Sequence, residues 1–469
     1  MAKKTLITNA RIVTAETVTQ GEIAIHGEKI VAVGRDLVRA GHTVIDAGGR
    51  LVLPGGVDVH THMNLDLGAA VAQDDFYTGT VAAAFGGTTC IVDHPGFGPP
   101  GCALDHQIQR YRKEARGMAV VDYGLHGVLQ RVDEAVLDAL IDLVDTGIPS
   151  LKAYMTYAGR LDDHALLQVM DRLGRAGGLL AVHAENDAII RFLQEGFFAA
   201  GKTEPIYHAL SRPDLCEAEA VHRIVQLAAV ADDAPLYVVH LSTAEGMAHV
   251  RAAQALGQRV FAETCPQYLL LDEERYLENE GGGFKYIMAP PARPRENQVF
   301  LWEGLQSGVI QVVATDHCPF DLALKQRLGA DDFRLTPGGL PGVETRLPLL
   351  YSEGVVPGRL SLEKFVAVMA TNPAKLMGLY PRKGTLAPGS DADLVIFDPD
   401  RRVTIRNKQL HQRVDYTPYE GWTVTGWPET TLVRGRVVVD RGRLLATRGY
   451  GRYIPRLPFD DHGILQLAS

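Results

Sequence analysis

The stretch Leu51-Val-Leu-Pro-Gly-Gly-Val-Asp-Val-His-Thr-His62 runs apolar, breaks at Pro-Gly-Gly, runs apolar again and stops on a His-x-His pair. In an extended strand, residues i and i+2 face the same side, so His60 and His62 aim at one point, as two ligands for a metal ion would. An isolated pair of this kind is weak evidence. Its weight comes from further runs of the same texture along the chain. The predicted strands are Val57 to His60, Thr88 to His94, Asp122 to Gly127, Ser150 to Met155, Leu179 to Glu185, Leu236 to Ser242, Arg259 to Thr264 and Ile310 to His317. Amphipathic helical stretches separate them, among them Asp133 to Val144, His164 to Ala176 and Cys216 to Ala231. Eight near-continuous hydrophobic strands alternating with helices predict a parallel (β/α)8 barrel in preference to an open sheet.

Outward from the barrel, the texture changes at both ends. Thr5 to Ile12, Glu22 to His26, Ile30 to Val33 and a run from Val44 read as short strands around Gly and charged turns, and so do Asp393 to Asp398 and the run from Thr431. Neither set is large enough to fold alone, so the two ends are expected to complete one smaller β-sandwich. The expected organisation is therefore α/β: residues 1–54 give the first part of the sandwich, 55–377 the barrel, 378–440 the second part, and 441–469 a tail that makes oligomer contacts. Within this plan 331–342 reads as a Gly- and Pro-rich loop and 360–376 as a helix.

Composition narrows the class of partner. The 469 residues are 46% apolar and carry a net charge of -9 without a long basic run, which leaves no electrostatic footprint for nucleic acid or an anionic membrane. A small molecule is the expected partner. Five cysteines, odd in number and without a Cys-x-x-Cys pair, do not make a disulfide framework and fit a reducing compartment. No apolar leader follows Met1, and no span approaches the ~18 apolar residues of a membrane helix, so a cytoplasmic location is expected.

In a (β/α)8 barrel the chemistry sits at the C-terminal ends of the strands. There the sequence places His60 and His62 on the first strand, Lys152 on the fourth, His183 on the fifth, His240 on the sixth and Asp316 on the eighth. Lys152 stands out, because an ammonium repels a cation. Burial favours the neutral amine, which reacts with carbon dioxide to give a carbamate, N6-carboxylysine, whose two oxygens can bridge two metals. The remaining ligands divide naturally, with His60, His62 and Asp316 on one ion and His183 and His240 on the other. Nitrogen and oxygen donors without thiolate suit Zn²⁺, with Mn²⁺ and Co²⁺ also acceptable. Two ions about 3.5–4 Å apart can share a hydroxide, which then attacks an amide-like carbonyl. Asp316 is placed to move the proton to the leaving nitrogen, and the Tyr157 hydroxyl to donate to the oxyanion.

Motifs in order along most of the chain carry a specific resemblance: Pro54-Gly-Gly-Val-Asp-Val-His-Thr-His, Ser150-Leu-Lys-Ala-Tyr-Met-Thr-Tyr, His183-Ala-Glu-Asn, Val239-His-Leu-Ser, Glu263-Thr-Cys-Pro-Gln-Tyr-Leu, Ala314-Thr-Asp-His-Cys-Pro-Phe and Gly384-Thr-Leu-Ala-Pro-Gly-Ser-Asp-Ala-Asp. They resemble the amidohydrolase superfamily and, within it, the hydantoinase and dihydropyrimidinase family. The segments around Asn64, Asp93-His-Pro-Gly-Phe-Gly-Pro and Gly101-Cys resemble most the phenylhydantoinase branch. The resemblance implies a homotetramer that opens cyclic imides or ureides to N-carbamoyl amino acids, with the same six ligands, carboxylated Lys152 included, and Tyr157 as oxyanion donor. It also implies that two loops grip the ring. In one, Ala289 stands where the family usually has Ser; in the other, Gly338 stands where it usually has Asn. Backbone groups at both positions can still serve. Met63, Leu65, Leu67, Phe97 and Tyr154 are expected to receive an aryl or alkyl substituent.

Three alternatives share parts of this pattern. The dihydroorotases resemble His-x-His-x-Arg, whereas Met63-Asn64 follows His62 here. Allantoinases share the metal set. Non-catalytic scaffold relatives look as though they have lost ligands that this chain retains.

Overall fold

The computed structural model describes residues 3–465, so the last four positions of the 441–469 tail lie outside the described residues. Among these, eight stretches of parallel strand form the barrel: Gly56–Thr61, Thr88–Asp93, Asp122–Leu125 continued by Gly127–Val128, Ser150–Tyr154, Leu179–His183, Leu236–Val238, Val260–Thr264 and Val312–Val313. A parallel bridge between Thr61 and His317 closes the ring. The expected (β/α)8 barrel is the fold. The sixth and eighth strands end earlier than the apolar runs suggest, because His240 (φ 40°) and Asp316 (φ 52°) turn the backbone out of the pleat.

Two helices begin one residue after an aspartate: Asp133, where the first predicted stretch starts, and Asp162, two residues ahead of the predicted start at His164. Asp133 and Asp162 accept from the backbone N–H of Val136 and Ala165, capping Glu134–Asp145 and Asp163–Arg175. The third predicted helix is Asp214–Val230. The expected 360–376 helix is three short pieces in succession, Leu362–Val366, Ala367–Thr371 and Asn372–Leu376, the middle one a wider π-type turn.

The chain ends meet in one sheet of nine strands among the described residues. Leu51–Pro54 is the seam: it lies parallel to Lys4–Val13 on one side and antiparallel to Leu394–Thr404 on the other. Ile23 and Ile25 from one end share a buried cluster with Leu394, Ile396 and Leu432 from the other, so the sheet folds over its own apolar face into a sandwich. Gly55 joins this seam to the first barrel strand, at a point where any Cβ would run into the Thr89 side chain. Part of the tail packs on its own chain: Ile454 N–H donates to Tyr123 O at 2.8 Å and Arg456 Nη2 to Leu125 O at 2.6 Å.

Inside the barrel, Val57, Val59, Val92, Ala181, Phe261 and Val312 share a second buried cluster. The first strand then slips relative to its neighbour. Asp58 pairs with Ile91 and Thr61 with Asp93, so one extra residue is taken up between Asp58 and Thr61. Such a bulge re-aims the side chains within and just beyond it, here His60 and His62.

Candidate metal centre and substrate cleft

A cleft of about 470 Å³ opens at the C-terminal ends of the barrel strands. His60, His62, Lys152, His183, His240 and Asp316 all line it, so six residues scattered from 60 to 316 converge. The closest group is His60, His62 and Asp316, whose donor atoms lie within 4.8 Å of one another. Asp316 Oδ1 is 3.1 Å from His60 Nε2 and 3.0 Å from His62 Nε2. Two imidazole nitrogens and a carboxylate oxygen converging at this range fit a divalent cation.

The outer nitrogens of these rings are taken. His60 Nδ1 faces Glu263 Oε1, and Glu263 also accepts from Tyr237 Oη at 2.8 Å and from the His240 N–H at 3.1 Å. His62 Nδ1 lies 3.2 Å from the His94 carbonyl. Each contact fixes the ring and leaves Nε2 free for an ion. His183 is arranged the other way round. Its Nε2 lies 2.7 Å from Glu185 Oε2, leaving Nδ1 as the free donor. His183 and His240 meet edge to face with ring centroids 4.5 Å apart.

Electrostatics matches this division. Burial holds His240 well below, and His183 below, the usual imidazole range, so both rings are neutral and able to ligate. Burial pushes Asp316 up, but His60 and the hydrogen bond to His62 outweigh it and hold the carboxyl well below the usual carboxylate range. Lys152 is 2% exposed, and burial pushes its amine down to about 8 against the pull of Glu263 and Asp316.

Tyr157, His240 and Asp316 all hold positive φ, at 71°, 40° and 52°. Non-glycine residues in this region are strained, and such strain persists where the surrounding structure enforces it, commonly at functional sites. Tyr157 is 36% exposed and faces the cleft, its ring centroid 5.1 Å from that of His183. Desolvation nevertheless raises its phenol, so it remains a proton donor.

Leu65, Leu67, Phe97, Tyr154, Ala289 and Gly338 line the same cleft. Met63 does not. It is fully buried in the main core, its sulfur against Gly79 of helix Thr78–Phe85. The expectation that it lines the substituent pocket is thus corrected: one residue past His62, it takes the opposite direction from the two histidines.

Several contributors escaped the sequence reading. Arg212 is buried, donates to Glu185 Oε2 at 2.5 Å and lies 5.6 Å from the Tyr157 ring centroid. Glu185 is held at about 2: burial raises it, but Arg212 and then His183 more than offset this. The signal for Glu185 was its place two residues beyond His183; Arg212 offered none, because it comes from a distant loop. Gln194, His208, Arg334 and Thr336 also line the cleft.

A barrel whose strand ends bring these donors together defines a metal-dependent hydrolase architecture, and the chain belongs to the amidohydrolase family, whose model matches residues 51–438. It is 48% identical over 457 residues to a D-phenylhydantoinase of Escherichia coli O1:K1 / APEC, spanning 97% of this chain and 99% of that one. A dihydropyrimidinase structure from Brevibacillus agri NCHU1002 superimposes with a TM-score of 0.96 at 43% identity, covering 97% of this chain and 99% of that one. A D-hydantoinase from Bacillus sp. AR9 gives 0.95 at 43% identity, covering 97% and 100%.

Proposed function

We propose that this chain hydrolyses the cyclic amide bond of hydantoins bearing 5-aryl or 5-alkyl substituents, and of related dihydropyrimidines, to N-carbamoyl amino acids. The observation that carries the reading is the meeting of His60, His62, Lys152, His183, His240 and Asp316 in one cleft with Ala289 and Gly338. The names of its relatives, D-phenylhydantoinase and dihydropyrimidinase, point the same way.

In this reading His60, His62 and Asp316 would hold one divalent ion and His183 and His240 a second, with carboxylated Lys152 supplying the remaining oxygen donors between the two groups. Zn²⁺ is the proposed metal, and Mn²⁺ or Co²⁺ would meet the same donor set. The ions, when bound, supply a water acidified enough to attack near neutral pH and Lewis acidity at the scissile carbonyl. Asp316 is placed to take up a proton on a carboxylate oxygen and deliver it to the departing ring nitrogen. Tyr157 donates its hydroxyl proton in a hydrogen bond to the carbonyl oxygen as charge gathers there, and Arg212 holds the Tyr157 side of the cleft in place. Backbone N–H and C=O groups at Ala289 and Gly338 grip the ring, while Leu65, Leu67, Phe97 and Tyr154 surround its substituent. By family resemblance the proposal extends to a cytoplasmic homotetramer with the exposed part of 441–469 among its contacts, which light scattering of wild type and a truncated tail would check.

Metal analysis and a substrate panel test the activity. Purified protein should carry transition metal and open 5-phenylhydantoin faster than unsubstituted hydantoin, dihydrouracil or allantoin. Protein that binds no transition metal and stays inactive after reconstitution with Zn²⁺ and bicarbonate would overturn the reading.

A further inference from the structure

Lys325, on helix Leu322–Gly329, is 0% exposed, and among the described residues it has no carboxylate within ion-pair distance. A buried lysine without a counter-charge is costly unless every N–H is satisfied. Here all three are. Nζ donates to Ile287 O at 2.9 Å, to Gly339 O at 2.6 Å and to Lys285 O at 3.3 Å, a complete match for the three donors of an ammonium. Those carbonyls belong to two loops distant in sequence, one running into Ala289 and the other following Gly338. The Gly339 N–H adds a second tie to Ile287 O at 3.0 Å. Gly339 itself sits at φ 149°, where a Cβ would run into Cys318, so the loop passes close against Cys318 at the point where Lys325 holds it.

We propose that Lys325 is a positioning residue for substrate binding, its ammonium clamping the Ala289 loop to the Gly338 loop and so setting the spacing of the backbone groups that hold the ring. The inference rests on the reading that those two loops grip the substrate. Burial pushes the amine down to about 7 against the pull of Cys318 and Asp415, and Tyr416 presents its ring 5.7 Å from Nζ. Protonated, the clamp reaches three carbonyls; neutral, it has N–H groups for two. Ring binding by the wild type therefore weakens as pH rises through about 7.

The test measures kcat and KM separately for metal-loaded wild type, Lys325→Met and Lys325→Gln, with hydantoin and its ring N-methyl derivatives. Lys325→Met should raise KM for hydantoin about 10-fold or more with kcat at saturation and metal content nearly unchanged. A merely structural lysine would lower Tm and leave KM alone. Should Lys325→Met fail to fold, Lys325→Gln decides. With two N–H donors and no titration, it should show a KM raised about 3-fold or more and flat across neutral pH, where the wild-type KM rises. A folded variant with wild-type KM and wild-type pH dependence overturns the proposal. The N-methyl derivatives separate the two possible failures. If wild type binds them as well as hydantoin, the loop-grip reading is wrong; if wild type discriminates but the variants keep its KM, only the role of Lys325 is wrong.

Discussion

Glu185 Oε2 lies 2.7 Å from His183 Nε2, so the carboxylate and the imidazole it orients come from the same strand end, two residues apart. The same oxygen accepts from Arg212, which ties His183 to the loop behind Tyr157.

Replacing Glu185 with Gln keeps the volume and removes the anionic acceptor. Affinity for the second ion should fall about 10–100-fold, as for other carboxylates that orient a ligating histidine, while the ion at His60, His62 and Asp316 is retained. Metal titration followed by competing chelator reads both affinities. Equal loss of both ions would show that Glu185 supports the whole barrel end.

Lys152 should take up carbon dioxide near pH 8. Burial lowers its pKa to about 8, so the neutral amine becomes abundant on passing upward through that pH, well before an exposed lysine. Metal-free protein at fixed dissolved ¹³CO₂ should develop a carbamate NMR signal that rises through pH 8 and is absent in Lys152→Ala. A signal appearing only near the pKa of free lysine would refute the shift. Lys152→Ala should also be inactive when reconstituted, and short carboxylic acids should partly restore it.

Tyr157→Phe should lower kcat by about 10²–10³, the usual effect of losing one oxyanion donor, with metal content unchanged. Because desolvation raises the phenol, the wild-type activity profile should show no limb from this group near neutrality. Single-turnover rates at saturating substrate isolate the chemical step.

Gly338→Asn should be tolerated, since a Cβ there meets nothing closer than Met288 Cα at 3.7 Å. An added side-chain amide supplies a hydrogen bond worth about 1 kcal/mol. The ratio of kcat/KM for dihydrouracil to that for 5-phenylhydantoin should then rise about 5-fold. An unchanged ratio would show that ring choice lies elsewhere in the cleft.

The barrel was legible because each of its strands is a compact apolar run, and five of the six convergent residues because they stand at or near the ends of those runs. Lys152, in the middle of Ser150–Tyr154, stood out instead as a lysine within an apolar strand. The joining of the chain ends was legible too, since neither set of short strands could bury its own face. What stayed hidden depends on contacts between loops. Nothing local to Arg212 or Lys325 announces a partner, because Glu185 and the Ile287 and Gly339 carbonyls arrive from other parts of the chain. Met63 was misplaced for a different reason. Its apolar character fits both a pocket and a core, and only the direction of the chain after the bulge between Asp58 and Thr61 decides between them.

The seam strand Leu51–Pro54 pairs with Leu394–Thr404, a partner synthesised only near the end of translation. Until then one of its edges offers unpaired backbone N–H and C=O groups to any extended segment nearby. The order of events during biogenesis follows: the barrel can close while the chain is still being made, but the flanking sheet waits for the C-terminal strands. Chains cut short before residue 394 should accumulate as aggregates even though every barrel strand is present.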